Sequence, residues 1–258
     1  MPASTTHLVL IPAFNAGNRL VTTLLSALEE WSPVWVVDDG STDGSVDAAL
    51  RLAERDPRVR VLVRPRNGGK GAAIETGLAA ALASGFTHVL TLDADGQHPS
   101  HQIGPFMEAS AARPESLVLG RPVFGPEAPR VRLHGRKLSV WLAWAEILGP
   151  GIDDPLFGFR VYPADALRRA LAETRFARGF DFDPEVAVRM AWRGVPLLNL
   201  AAPCRYLAPE DGGVSHFKYV RDNVRLCSLH VRLLTQLFLW RWIAVWRARG
   251  ARRGGLSR

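Results

Sequence analysis

Short, nearly unbroken apolar runs alternate with helical periodicity over the first half of the chain. The runs are His7–Pro12, Val34–Asp39, Val59–Arg64, Thr87–Asp93 and Ser116–Gly120. They lack the apolar–polar alternation of half-exposed strands, which predicts strands buried on both faces of a sheet. Between them Leu20, Leu24, Leu25 and Leu28 recur at helical spacing, Ala48–Arg55 is rich in helix formers and Gly71–Ser84 is rich in alanine. This strand–helix repetition predicts right-handed βαβ units, hence an α/β fold with a mostly parallel sheet. In such sheets ligands bind beyond the carboxyl ends of the strands.

From about Gly125 the rhythm changes. Pro126 and Pro129 mark a loop, a helical stretch follows around Leu133–Leu148, and Gly149-Pro150-Gly151 ends it. A further helix is expected from about Pro184 to Trp192. The last long helix runs from near Phe217 to about Trp246. On a helical wheel Arg221, Arg225, Arg232 and Gln236 share one face, and Leu226, Leu229, Leu233, Leu237 and Trp240 form the adjoining apolar face. His230, Arg232, Gln236 and Arg241 interrupt the apolar stretch, so it falls short of the ~20 apolar residues of a spanning helix. Trp240, Trp242 and Trp246 beside arginines fit a helix lying in a membrane interface; packing on the body or on a second subunit is the alternative. This divides the chain into a body, 1–216, and a basic amphipathic tail, 217–258.

Charge sharpens the division. The 258 residues carry a net charge of +7, yet residues 217–258 hold ten Lys/Arg against the single acid Asp222. The body is slightly acidic, which excludes a uniformly basic nucleic-acid binder. Cys204 and Cys227 are the only cysteines, too few for a disulfide scaffold or a Cys-rich zinc site. The first residues lack the basic and apolar regions of a secretory leader, so an intracellular protein is expected.

The chemistry-bearing residues gather at predicted strand ends. Asp38 and Asp39 open the run Asp-Asp-Gly-Ser-Thr-Asp43; a carboxylate there can accept from a nucleobase N–H or a ribose hydroxyl, and Ser41, Thr42 or Asp43 can cap the next helix. Asn67-Gly-Gly-Lys70-Gly71 opens a helix and reads as a phosphate cradle with Lys70 as a point charge, or as a plain capped loop. Asp93-Ala-Asp95-Gly-Gln97 places two carboxylates at the end of a buried strand, hard oxygen ligands suited to Mg²⁺ or Mn²⁺, with Gln97 as a neutral oxygen. Arg121 follows another strand end, and Arg130, Arg132, Arg136 and Lys137 follow it; such groups meet phosphate oxygens.

Together these motifs resemble family 2 glycosyltransferases of GT-A fold. Ile11-Pro12-Ala-Phe-Asn15, Val36–Asp43, Asn67–Gly71, Asp93-Ala-Asp95 and Gly120-Arg121 stand in that family's order and spacing. The run from Asp154 through Gly158-Phe-Arg160 to Tyr162, then Phe182-Asp-Pro-Glu185, Arg189, Gly194 and Pro203, is similar to the dolichol- or polyprenyl-phosphate sugar transferase branch. The resemblance covers roughly residues 7–216. It implies inverting, metal-dependent transfer of a hexosyl group from a UDP- or GDP-hexose to a polyprenyl phosphate or another lipid-linked acceptor. A hydroxyl acceptor (lipid, glycan or pigment) and a non-catalytic nucleotide-sugar binder are the alternatives. Carried over, Pro12, Asn15 and Asp38 or Asp39 meet the nucleoside and Lys70 lies near it. Asp93, Asp95 and Gln97 hold the metal and diphosphate. Arg121, Arg136 and Ser215 serve the acceptor, and Asp154 is the base-like carboxylate, with Asp181 or Asp183 next. Glu185 and Arg189 form a structural or sugar-side pair. Ala13, Ala16 and His216 depart from the family's usual aromatic, Glu and Lys. The expected setting is the cytoplasmic face of the cell membrane, with the tail on the lipid surface and a homodimer as a further option.

Overall fold

A computed structural model describes residues 3–125, 130–174, 178–204 and 219–247. Strands β1 (His7–Ala13), β2 (Val34–Asp38), β3 (Val59–Val63) and β4 (His88–Thr91) alternate with helices α1 (Arg19–Glu30), α2 (Ser45–Ala53) and α3 (Lys70–Ala83). Helix α4 (Ile103–Ala112), strand β5 (Leu117–Phe124) and helix α5 (Arg130–Glu146) follow. Then come β6 (Arg160–Pro163), α6 (Ala164–Leu171), α7 (Phe182–Trp192), β7 (Leu197–Cys204) and α8 (Tyr219–Gln236).

The described residues form one seven-stranded sheet in the order β3-β2-β1-β4-β6-β5-β7. Six strands run one way and β6 runs against its neighbours β4 and β5. The mostly parallel sheet expected from the apolar runs is present. Central strands β1, β2 and β4 are almost wholly buried, with apolar clusters on both faces of the sheet. Burial on both sides is why these strands read as continuous apolar runs.

Two strands were not foreseen. β6 is four residues long and begins with an arginine, and β7 contains Asn199, Ala201, Ala202 and Pro203. Pro203 is tolerated because β7 is an edge strand. β5 also runs on past Gly120 to Phe124, so Arg121 lies within a strand rather than after one. Because β6 is antiparallel, the chain entering it, residues 154–159, reaches the same sheet edge as the loops after β1, β2, β3 and β4.

The C-terminal helix lays its leucine face on the body, the alternative to a helix lying with that face in a membrane interface. Leu226, Leu229, Leu233 and Leu237 are buried in the body, as is Val245 after them. Arg232 also turns inward, to the buried Glu185 (2.6 Å), and Arg241 reaches Glu173 (2.8 Å). A π turn, Leu237–Arg241, leads into a last helical piece over 242–247. Outward positions 224, 228, 231, 235, 238, 242 and 246 step by three or four and carry no charge: Val, Ser, Val, Thr, Phe, Trp and Trp. Trp240, grouped by helical spacing with those leucines, is 83% exposed. Among the described residues no helix is long and apolar enough to cross a membrane.

His7, on β1, stacks on His88 at 4.3 Å and lies 3.2 Å from Ser110 Oγ through Nε2. Burial, reinforced by the His88 charge, pushes its pKa down from 6.5 to about 4. A depressed histidine contributes stability that is complete above pH 6.5 and is lost as pH falls through 4. Denaturant unfolding is expected to lose about 3 kcal/mol over that window through this group. His7→Gln is expected to flatten that part of the acid limb, and an unchanged limb would refute the assignment.

Candidate active site

The loops at the carboxyl edge are tied to one another by the residues the motifs supplied. Asn15, with a left-handed φ of 47°, accepts the Thr42 N–H on its side-chain oxygen (2.8 Å), and its own N–H donates to Ser41 Oγ (2.9 Å). Asp43 accepts the N–H groups of Gly17 and Ser45 (each 3.0 Å). Asp38 accepts the Ser41 N–H (3.1 Å). Pro12 lies in β1, half-buried and in register with Val37 of β2. Asn15 and Asp38 therefore fix the loops after β1 and β2 in shape, and this explains why polar residues recur there.

Asp39 changes the reading of the glycine-rich loop. Its buried carboxylate pairs with Arg64 and accepts the N–H groups of Gly68 (3.1 Å) and Gly69 (2.7 Å). The Gly71 N–H donates to the Arg178 carbonyl (3.0 Å). These amides are spent on the protein itself, so the phosphate cradle expected of Asn67–Gly71 is corrected to a nest around an internal carboxylate. Asp39 likewise faces this loop rather than an open pocket.

The centre of the edge is a cluster of charge. Lys70, the first residue of α3, sets its ammonium 2.8 Å from Asp93 Oδ1 and 2.7 Å from Asp183 Oδ2. Asp183 comes from the first turn of α7. Gly158 closes the cluster: a Cβ there would lie 2.4 Å from Lys70 Nζ and 3.2 Å from Asp93 Oδ2. The Asp93 N–H donates to His98 Nδ1 (3.0 Å), which leaves the proton on Nε2, 3.4 Å from Asp93 Oδ2. His98 is buried edge-on against Phe157 and Phe159, so it clamps Asp93.

Burial opposes the Asp93 charge, but Lys70 and His98 outweigh it and hold the carboxyl down at about 2. Asp95 moves the other way, pushed up by burial and by the neighbouring Asp93 charge. Asp95 accepts the Gln97 N–H (2.9 Å) and has no ion-pair partner among the described residues. A second carboxylate desolvated beside the first, with no cation of its own, fits a divalent cation. Among the described residues no group of three or more His, Cys, Asp or Glu is placed to hold a metal. Two carboxylates with substrate phosphate oxygens are the usual seat of Mg²⁺ or Mn²⁺ in phosphate-transfer sites, so the donor set fits.

Asp154 and Arg136, predicted as base and acceptor ligand, are partners. Arg136 Nε and Nη2 reach the two Asp154 oxygens at 2.6 and 2.9 Å, and the Leu156 N–H adds a third donor (2.9 Å). The buried Asp154 carboxylate is thus occupied by the Arg136 guanidinium and the Leu156 N–H. The Arg136 guanidinium also lies 5.2 Å from the Phe124 ring centroid. Arg121 is exposed, with Asp153 at 4.0 Å. Ser215 lies outside the described residues.

Residues the motifs named without a role complete the site. Arg160 is fully buried and donates to the carbonyls of Phe157 (2.8 Å), Asp183 (2.6 Å) and Pro155 (2.6 Å). It thus fastens the 154–159 loop to α7. Its signal in sequence was an arginine inside an otherwise apolar run. The pair expected of Glu185 and Arg189 is formed, at 2.6 and 2.8 Å.

Residues 8–176 match the model of glycosyl transferase family 2. The chain belongs to that family. It is a nucleotide-sugar-dependent glycosyltransferase. It is 33% identical over 220 residues to an undecaprenyl-phosphate mannosyltransferase of Micrococcus luteus, covering 80% of this chain and 85% of that one. It is 30% identical over 195 residues to a polyprenol monophosphomannose synthase of Mycolicibacterium smegmatis, covering 73% and 71%. The fold is that of glucosyl-3-phosphoglycerate synthase from Mycobacterium tuberculosis (TM-score 0.65, 20% identity, 89% of this chain and 78% of that one). It is also that of a Pyrobaculum calidifontis mannosyltransferase solved with GDP-Man and Mn²⁺ (TM-score 0.60, 18% identity, 99% and 78%). The sheet is thus the GT-A sheet that the motifs implied.

Proposed function

We propose that this family 2 glycosyltransferase moves a hexosyl group from UDP- or GDP-hexose to a polyprenyl phosphate, with inversion, using Mg²⁺ or Mn²⁺. The observation that carries the reading is the Asp93–Asp95 pair just past β4, in which Asp95 is a desolvated carboxylate with no ion-pair partner among the described residues. The names of the bacterial relatives, both transferases to a polyprenyl carrier, supply the acceptor class.

Asp93 and Asp95 would hold the cation, and Gln97 would add an oxygen. When bound, that cation neutralises charge building on the departing nucleoside diphosphate. The acceptor phosphate oxygen attacks the anomeric carbon from the face opposite the diphosphate. One C–O bond forms as the other breaks, and the configuration inverts. A phosphate is already anionic near neutral pH and needs no general base. An Asp154 occupied by Arg136 suits such an acceptor and leaves a hydroxyl acceptor without its base. Arg121 and Arg136 supply positive charge for bringing one anion beside another. Nucleotide release from UDP- or GDP-hexose with Mn²⁺ is expected to rise when undecaprenyl phosphate is supplied. Release indifferent to the lipid would remove this acceptor.

The outward stripe of the C-terminal helix supports a peripheral position on the inner face of the membrane. Phe238, Leu239, Trp240, Trp242, Ile243 and Trp246 are all exposed, and Arg247, Arg249, Arg252 and Arg253 follow in sequence. Aromatic side chains beside arginines suit the headgroup boundary. Flotation with anionic liposomes is expected to drop several-fold in a Trp242→Ser/Trp246→Ser variant, and by less in 0.5 M salt, because the stripe itself is uncharged. Unchanged flotation, or a stable dimer lost in the same variant, would assign the stripe to self-association.

A further inference from the structure

The carboxylate pair proposed to hold a divalent cation already has a cation on one of its oxygens. Lys70 Nζ shares itself between Asp93 Oδ1 and Asp183 Oδ2 at nearly equal distances, 2.8 and 2.7 Å. A metal ion on Asp93 and Asp95 would share the Asp93 carboxylate with that ammonium. A dication and an ammonium at one carboxylate repel each other.

Two features give the ammonium somewhere to go. Asp183 is almost fully buried, and its second oxygen, Oδ1, has no hydrogen-bond partner among the described residues. It is a ready acceptor for a donor that already sits on the neighbouring oxygen. Gly158 also restricts the alternatives, since its backbone lies against Lys70 where any Cβ would be 2.4 Å from Nζ. Asp93 and Asp183 are the two carboxylates that the ammonium touches. Arg160, the other buried cation here, is committed to the carbonyls of Phe157, Asp183 and Pro155.

We propose that Lys70 is the resident counter-ion of the carboxylate pair and yields Asp93 to an incoming divalent cation by moving wholly onto Asp183. The inference rests on the metal-dependent reading above and adds a role for Lys70 and Asp183. It accounts for two acidic residues from separate elements converging on one lysine at the sheet edge. It also makes metal binding by the donor-free protein weak. The donor's diphosphate brings negative charge that offsets the crowding of cations, so metal and donor bind better together than apart.

The test is Mn²⁺ binding by the full chain without nucleotide, read from the electron paramagnetic resonance signal of free Mn²⁺. Lys70→Met is expected to tighten Mn²⁺ binding at least about tenfold, because one competing positive charge is removed. Asp183→Asn is expected to weaken binding several-fold, since the ammonium loses its second seat and stays on Asp93. The double variant is expected to bind close to the Lys70→Met value, a coupling that independent structural damage would not give. Folded Lys70→Met binding no tighter than wild type would overturn the proposal. If Lys70→Met does not fold, Asp183→Asn decides: affinity equal to or above wild type overturns it. Asp95→Asn separates the two layers of the account. Mn²⁺ binding that survives Asp95→Asn removes the metal assignment and the counter-ion role with it. Loss in Asp95→Asn with no gain in Lys70→Met removes only the counter-ion role.

Discussion

Asp95→Asn is expected to lower turnover at least about 10³-fold while leaving the protein as stable as wild type or more so. The two halves of that result have one cause. Asp95 is a carboxylate desolvated beside another carboxylate, and both effects raise its affinity for a proton. Among the described residues it holds no cation to offset this. The folded protein bears this repulsion with no structural return, the pattern of a group kept for what it binds. The amide keeps an oxygen for the Gln97 N–H and removes the charge. Turnover measured with Mn²⁺, beside a thermal unfolding curve, checks both halves. Turnover within tenfold of wild type would take the metal away from Asp95.

Glu185→Ala is expected to do the reverse and strike stability. Glu185 is completely buried in α7 and holds two guanidinium groups, Arg189 (2.6 Å) and Arg232 (2.6 Å). Arg189 continues to Glu173 (3.3 Å), which also receives Arg193 and Arg241. Removing the central carboxylate strands buried positive charge, which typically costs about 3–5 kcal/mol. For a chain of this size that is a fall in Tm of roughly 10 °C. The exposed pair Arg168–Asp165 is the control, because Asp165→Ala should change stability by less than about 1 kcal/mol. A Glu185→Ala loss no larger than the control would show that the network does not hold α8 to the body.

The legible and illegible parts of the chain divide on physical grounds. The parallel strands were readable because burial on both faces demands a continuous apolar run. β6 was not, because its Arg160 is satisfied by carbonyls of a loop and of α7, partners that no local pattern reveals. The glycine-rich loop looked like a phosphate cradle because its amides were visible and their partner was not. That partner, Asp39, lies 29 and 30 positions before the amides it accepts. Periodicity separated the apolar and basic positions of α8. It did not tell which side turns inward, because Glu185 and Glu173 lie 47 and 68 positions from the arginines they receive. Asp154 and Arg136 were both singled out, and only the structure shows that each occupies the other.

Transfer of the sugar to a lipid phosphate has a direct chemical test. The protein would be incubated with Mn²⁺ and a hexose-labelled UDP- or GDP-sugar, with undecaprenyl phosphate in mixed micelles. The lipid phase would then be extracted and treated with mild acid. Label is expected in the lipid phase, absent in Asp95→Asn, and released as free hexose by the acid, because a glycosyl phosphate is acid-labile. Lipid-phase label that resists the acid, or no label there from either donor, would contradict transfer to a lipid phosphate.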